Sequence, residues 1–198
     1  GYLDTNEYDP NDPLAAQGWS DFMADSDGDG QGDTKFDRAG YGIYPSPDGS
    51  AWNTQIGGPY PGRINRWDPA TGVFETYTPP YGSGPRGITV DSNEIVWTAL
   101  SGSGHLARFD RSKCSQTWGL GDQCPEGWTL WKVPGPNFQG FEPNRAEDNA
   151  SSTMLYYIWV DRYNASGFGE NTVVVNGTGA DALFLFDQET EEFTTIRV

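Results

Sequence analysis

One block of residues recurs in this chain 45 positions later. Gly42, Ile43, Asp48 and Trp52 are answered by Gly87, Ile88, Asp91 and Trp97, with the glycine and tryptophan pairs both in that register. A period in the forties, made of short strands with aspartates and glycines at the turns, is the signature of a β-propeller blade. The repeat constrains the fold closely and the activity hardly at all, because propellers host binding, catalytic and structural roles alike.

The blade reads strand by strand. Residues 42–47 precede a turn at Asp48-Gly49, residues 50–56 return, and 63–68 and 73–78 complete the unit. The intervening Asp68-Pro69-Ala70-Thr71-Gly72 turn has a mechanism. Aspartate accepts nearby backbone N–H bonds, proline presets φ, and glycine supplies a positive φ. The same order returns as 86–91, 94–100, 105–110 and 128–133, and again as 156–162, 172–176, 182–187 and 193–198. Each third strand ends in an aromatic-aspartate pair: Trp67-Asp68, Phe109-Asp110 and Phe186-Asp187. The expectation is an all-β chain with an N-terminal extension (1–39) and a partial propeller (40–198). Its four-stranded blades, about three of them, fall near 40–80, 81–135 and 150–198.

A three-bladed fan leaves raw sheet edges and a bare face at each end, whereas propellers close with roughly four to eight blades. The lack of an initiator Met and the stop at Val198, at the end of an expected strand, suggest a piece of a longer polypeptide. The rival expectation is a small protein that closes by oligomerising. The partners expected are thus the remaining blades of the same polypeptide, or other subunits.

The composition, with 26 Gly and 14 Pro and no long apolar run, suits an extracytoplasmic β protein and gives no membrane-spanning segment. No signal peptide is visible. A net charge of −16 with 12 basic residues repels nucleic acid and anionic membrane and suits cation binding. Cys114 and Cys124 lie in the long insertion between the third and fourth strands of the second unit, among Gly119, Gly121, Pro125 and Gly127. Their spacing is too long for a CxxC redox motif, and a structural disulfide in an oxidising compartment, periplasmic or secreted, is the expectation.

The strongest chemical motif precedes the repeats. Residues 25–33 alternate Asp25, Asp27 and Asp29 with small residues and end on Asp33, a DxDxDGxxD pattern. Calcium takes six to eight hard oxygen ligands, and alternating aspartates in a tight loop supply them. Asp25, Asp27 and Asp29 are the carboxylate candidates, Gln31 offers a backbone carbonyl, Asp33 binds directly or through water, and Gly30 makes the sharp turn. Position 12 of an EF-hand loop is Glu but here is Phe36, which points to a calcium-stapled structural loop like those of thrombospondin-type or dockerin-type repeats. Asp9, Asp12 and Asp21 are further acidic residues nearby.

Gly-Ile-Thr-Val-Asp (87–91) with Val-Trp-Thr (96–98), and Arg-Trp-Asp-Pro-Ala-Thr-Gly (66–72), resemble the blades of streptogramin (virginiamycin B) lyase-like propellers. Residues 105–114 and 124–131 further resemble a group of large exported bacterial proteins, mostly uncharacterised, that carry such a propeller. The resemblance covers about residues 40–198. It implies a propeller fold and, for the true lyases, elimination at an ester bond of a cyclic depsipeptide by histidine and glutamate around a magnesium ion. This chain has one histidine, His105, at the start of a third strand where the first unit has Arg63. It does not reproduce the paired-histidine site. As a catalytic candidate His105 is weak, since a general base needs an orienting partner and a second group for the developing charge; a loop or strand-edge position is the plainer expectation.

Other enzyme motifs are weaker. Residues 46–52 approach a sialidase Asp-box but are one residue short, and read better as a hairpin turn. Tyr60, Tyr81, Trp118 and Phe138 offer a possible exposed carbohydrate-stacking set, although aromatics equally form blade cores. Asn149, Asn164 and Asn176 begin N-x-Ser/Thr sequons. Two function classes follow: an exported, calcium-stabilised propeller fragment that binds a polymer or protein ligand or scaffolds an assembly, and part of a lyase-like enzyme whose catalytic residues lie mostly outside this chain.

Overall fold

Alternating apolar residues bounded by Asp/Gly turns pair as antiparallel meanders. A computed structural model describes residues 2–3, 11, 17–18, 22–35, 40–56, 60–136 and 153–198. Short strand β1 (Tyr2–Leu3) pairs with β2 (Gln17–Gly18). Strands β3 (Met23–Ala24) and β4 (Thr34–Lys35) flank the acidic loop. The first repeat unit follows as β5 (Ile43–Pro45), β6 (Ala51–Gln55), β7 (Arg63–Trp67) and β8 (Phe74–Tyr77). The second is β9 (Pro85–Val90), β10 (Val96–Leu100), β11 (His105–Phe109) and β12 (Trp128–Lys132). The third is β13 (Leu155–Asp161), β14 (Thr172–Gly177), β15 (Ala182–Asp187) and β16 (Glu192–Arg197). Every strand expected in the repeats is present, displaced at its ends by a residue or two. Each unit is an antiparallel sheet in chain order, and the first is widened to six strands because β3 runs parallel to β8. The helical turns among the described residues are short 3-10 segments, and no helix is long and apolar enough to cross a membrane.

The period-2 pattern sorts side chains to two faces of each sheet. From the first sheet, Trp52, Ile64 and Tyr77 pack against Ile88, Val90, Val96, Ala107 and Phe109 of the second. From the second, Trp97, Ala99 and Leu106 pack against Val160, Val173, Val175, Phe184 and Phe186 of the third. Trp52 and Trp97, the tryptophans that marked the repeat, therefore fill equivalent places in successive inter-sheet cores. Trp97 also donates its indole N–H to Asp91 Oδ2 at 3.0 Å.

The recurring aspartates share one task. Asp68, Asp110 and Asp187 each accept a backbone N–H two residues on, from Ala70 (2.9 Å), Ser112 (3.1 Å) and Glu189 (2.8 Å), which turns the chain out of each third strand. Asp48 and Asp91 do the same for the first hairpins, accepting from Ser50 and Asn93 at 2.9 Å each. The near-Asp-box is thus a hairpin turn, closed by Ser46 N–H to Ser50 O at 2.8 Å.

Glycine at 42 and 87 has a packing reason. A Cβ on Gly42 would lie 2.4 Å from the Arg86 carbonyl oxygen, and one on Gly87 would lie 2.8 Å from Ile158 N. Each glycine lets the innermost strand of the next sheet cross at backbone distance. In the third unit the equivalent residue is Tyr157, 68% exposed.

The two end faces differ in chemistry. The face of the third sheet corresponding to the Trp52 and Trp97 faces carries Trp159, Val174, Leu183, Leu185 and Ile196. Trp159 is 48% exposed. The opposite end, on the first sheet, carries Asn53, Gln55, Asn65 and Thr76, all buried, with Asn65 Nδ2 donating to Asn53 Oδ1 at 2.9 Å. Asn65 faces away from Ile64, as neighbours in a strand do, and is buried on its own face of the sheet.

Candidate functional site

Aspartates alternating with small residues fold back on themselves, because each short carboxylate can accept from amides just ahead of it. In the 25–33 loop, Asp25 Oδ1 accepts from Asp27 N (3.2 Å) and Gly28 N (2.6 Å), and its Oδ2 accepts from Gly30 N (2.8 Å). Asp27 Oδ1 accepts from Asp29 N at 3.2 Å, and Asp29 Oδ1 from Gln31 N at 2.8 Å. Gly28 and Gly30 take φ of +88° and +85°, which the repeated tight turning requires. One carboxylate oxygen from each of Asp25, Asp27 and Asp29 falls within 4.8 Å of the other two, with Asp25 buried and the others exposed. Hard, negatively charged and convergent, this donor set fits a calcium-sized cation.

The remaining candidates of the loop are arranged differently. Asp33 turns to Ser26, accepting from its N (3.1 Å) and Oγ (2.7 Å), and the Ser26 hydroxyl bond leads the interactions that hold its carboxyl below the usual range. Gln31 donates its side-chain amide to Asp29 Oδ2 at 3.3 Å. Phe36, Asp9, Asp12 and Asp21 lie outside the described residues.

The loop does not stand alone. Cys114 and Cys124 are joined (S–S 2.06 Å), and the closed loop lies against β8 of the first sheet. Gly119 N donates to Asp25 O at 2.8 Å, Thr78 N to Gly121 O at 2.6 Å, and Gln123 Nε2 to Thr76 O at 2.8 Å. Trp118 covers Gly28 so closely that a Cβ there would meet its ring at 2.7 Å. A cleft of about 310 Å³ opens between Asp25, Gly30, Asp68, Glu75 and Trp118. The sequence placed the disulfide and the acidic loop in separate regions; the absence of a side chain at Gly28 is the local signal for their contact.

A second charged centre joins the first and second sheets. Arg66 lies 2.8 Å from Asp48 and 3.1 Å from Glu75, and Arg111 grips Glu75 through Nε and Nη2, both at 2.6 Å. Burial alone would raise the Asp48 carboxyl, but hydrogen bonds from Ser50 and Arg66 outweigh it and hold that group well below the ordinary range. Tyr77 donates to Glu75 Oε2 at 2.6 Å, and burial together with that carboxylate pushes the phenol far above its usual value. Nothing in the sequence pattern marked this centre, because its members come from four separate turns and strands.

His105 stands at the end of a strand, as expected, opening β11. It is fully buried, with Nδ1 2.8 Å from Ser103 Oγ and its ring 5.3 Å from that of Tyr81. The reason is that the 81–84 segment folds over the hairpin, with Ser101 N bonded to Gly84 O (2.9 Å) and Gly102 N to Ser83 O (3.0 Å). Tyr81 is consequently half-buried rather than exposed. Tyr60 and Trp118 are exposed at 58% and 39%, and Phe138 lies outside the described residues. Of the sequons, Asn164 is exposed, Asn176 is bonded into the third sheet, and Asn149 is not among the described residues.

No protein-family model matches this chain, and no curated protein matches it. Solved structures do. Virginiamycin B lyase from Staphylococcus aureus is 20% identical with a TM-score of 0.58, the match covering 85% of this chain and 44% of that one. A 6-phosphogluconolactonase-type protein from Bacteroides fragilis is 13% identical with a TM-score of 0.51, covering 89% and 53%. A protein from Lactobacillus plantarum is 16% identical with a TM-score of 0.50, covering 89% and 52%. The chain thus spans about half the length of these structures, or less. Its fold is theirs: all-β, in four-stranded sheets, of the propeller type that the sequence resemblance implied. Identities this low carry the fold alone.

Proposed function

We propose that this chain is part of an exported, calcium-stabilised β-propeller that acts as a binding or scaffold module. The observation that supports it best is the convergence of Asp25, Asp27 and Asp29 in a loop docked by Trp118 and Gly119 onto the disulfide-closed segment. A cation there neutralises three carboxylates that otherwise repel one another, and so fastens the N-terminal segment to the outer edge of the first sheet. Gln31 and Asp33 complete the proposed ligand set, Asp33 after giving up its bond to Ser26 or through water. The disulfide agrees with a periplasmic or secreted location. Further blades, from the same polypeptide or from other subunits, are the proposed cover for the apolar face of Trp159, Val174 and Leu183, since the two equivalent faces are each covered by a following sheet.

The likeness to virginiamycin B lyase favours a second reading, in which the chain is part of an enzyme that eliminates at an ester bond with magnesium. Its one histidine is enclosed by Ser103 and Tyr81, so on that reading the catalytic groups lie mostly in other segments. One experiment separates the two. Thermal melts with and without a calcium chelator, run beside an assay with a cyclic depsipeptide ester, place metal dependence either in stability or in turnover. Calcium-dependent melting without turnover supports the module; magnesium-dependent elimination overturns it.

A further inference from the structure

Position 41 and its counterparts, 86 and 156, each stand just ahead of the residue that marks an innermost strand, and they carry Tyr41, Arg86 and Tyr156. Because Gly42 and Gly87 bring those strands to backbone distance, the three side chains meet. The Arg86 guanidinium carbon lies 4.3 Å from the Tyr156 ring centre and 5.5 Å from that of Tyr41, and the two tyrosine hydroxyls are hydrogen-bonded to each other. Tyr157 adds a further ring, 4.8 Å from Tyr156. Tyr41 and Tyr157 are exposed at 45% and 68%.

Two features suggest that this cluster does more than join strands. The first is Arg86 itself. In a chain of net charge −16, no carboxylate among the described residues pairs with it, whereas Arg66 and Arg111 are both ion-paired. Stacked on the Tyr156 face and hydrogen-bonded to the Tyr41 side chain, its planar fork is held in place by aromatic groups and by no carboxylate among the described residues. The second is a built irregularity. The β13–β14 register breaks between Leu155 and Ile158, and Asn176 Oδ1 captures the backbone N–H groups of Tyr156 (3.0 Å) and Tyr157 (2.6 Å). A bulge of this kind re-aims side chains, and here it sets Tyr156 beside the guanidinium with Tyr157 against the Tyr156 ring.

We infer that Tyr41, Arg86, Tyr156 and Tyr157 form a binding site for a single carboxylate carried on or beside a six-membered ring that offers a C–H or aromatic face. The guanidinium takes the carboxylate through paired N–H bonds, and the tyrosine rings take the face of the ring. The strongly negative chain disfavours a polyanion, so the ligand presents one carboxylate, as a uronic sugar or an aromatic acid does. The inference rests on the reading of the chain as a binding module and specifies what it binds.

The test is a titration of the isotope-labelled 198-residue protein, followed by NMR at the Arg86 side-chain N–H, with sodium glucuronate, sodium phenylacetate and neutral glucose as probes. Saturable shifts with glucuronate or phenylacetate and none with glucose are expected, and the probe that binds identifies the sugar or the aromatic acid as the source. Arg86→Gln, which keeps the side chain's body, should weaken binding roughly tenfold or more. Arg86→Lys, which keeps charge but loses the fork, should fall between. Absence of saturation with both acids in the wild-type protein overturns the inference, as does equal binding of glucose or undiminished affinity in Arg86→Gln. The chelation melt and ester assay are run on the same protein. A calcium-dependent melt with no carboxylate binding removes this site and leaves the module reading standing; ester turnover removes the module reading whatever the titration gives.

Discussion

Arg111, in the 3-10 turn that follows β11, reaches Glu75 of the first sheet in a two-pronged ion pair, Nε to Oε2 and Nη2 to Oε1 at 2.6 Å each. Glu75 is also bound by Arg66 from its own sheet, so one carboxylate bridges two guanidiniums at the seam between sheets, with Asp48 and Asp68 supplying further negative charge to Arg66. Removing a partly buried charge from such a group leaves its partners facing one another. Glu75→Gln should therefore destabilise the fold by about 2 kcal/mol, read as a lower urea midpoint with an unchanged slope. Glu75→Ala/Arg111→Ala together should lose less than the sum of the single changes.

Acid should act at the neighbouring Asp48. A carboxyl held below its unfolded value contributes stability that is complete above that value, 3.8, and is lost as pH falls toward the lower folded value. Asp48→Asn should narrow the difference in urea midpoint between about pH 7 and about pH 2. An unchanged difference would show that the Ser50 and Arg66 bonds do not persist in solution.

For the acidic loop, chelation should lower the melting temperature of the wild-type protein. Asp27→Ala with Asp29→Ala should melt at the chelated temperature with or without calcium. Equal melts before and after chelation, with no calcium in the purified protein, would sink the calcium assignment.

The disulfide closes a short loop, a constraint worth roughly 2–3 kcal/mol. Replacing Cys114 and Cys124 by Ala should lower stability by that order. Because the closed loop presents Trp118 to Gly28, the replacement should also weaken calcium binding, measured by titration calorimetry. Unaltered calcium affinity would separate the two loops.

Gly42→Ala puts a methyl 2.4 Å from the Arg86 carbonyl, which neither backbone can yield without shifting a strand. A loss of about 1–3 kcal/mol is expected. Gly72→Ala has open space around it but a φ of +73°, and should lose about 1 kcal/mol through backbone strain alone.

The strands were legible because two local signals agree along the chain: period-2 burial, and aspartates that turn the backbone by accepting amides two residues on. Trp52, Trp97 and the Asp68, Asp110, Asp187 series carried that message without any knowledge of neighbours. What stayed hidden came from the third dimension. The burial of Asn65 beside Asn53 is one such case. His105 opens a strand and yet lies beneath the 81–84 segment. The Glu75–Arg66–Arg111 group and the Tyr41–Arg86–Tyr156 cluster gather residues up to 115 positions apart, and no spacing rule within one strand announces them. The acidic loop shows the intermediate case. Its aspartate alternation was plain, but the turning of Asp33 toward Ser26 depends on how the loop closes, with Asp33 N bonded to Ala24 O.

Tyr157 stands where two glycines stood before it. At Gly42 and at Gly87 the next inner strand crosses at backbone distance. A strand seated beyond the third sheet meets a phenol ring in place of bare backbone, and must stand off by the depth of that ring. The close crossing that Gly42 and Gly87 permit is thus not repeated at the third sheet, where any partner strand has a phenol ring to pack against.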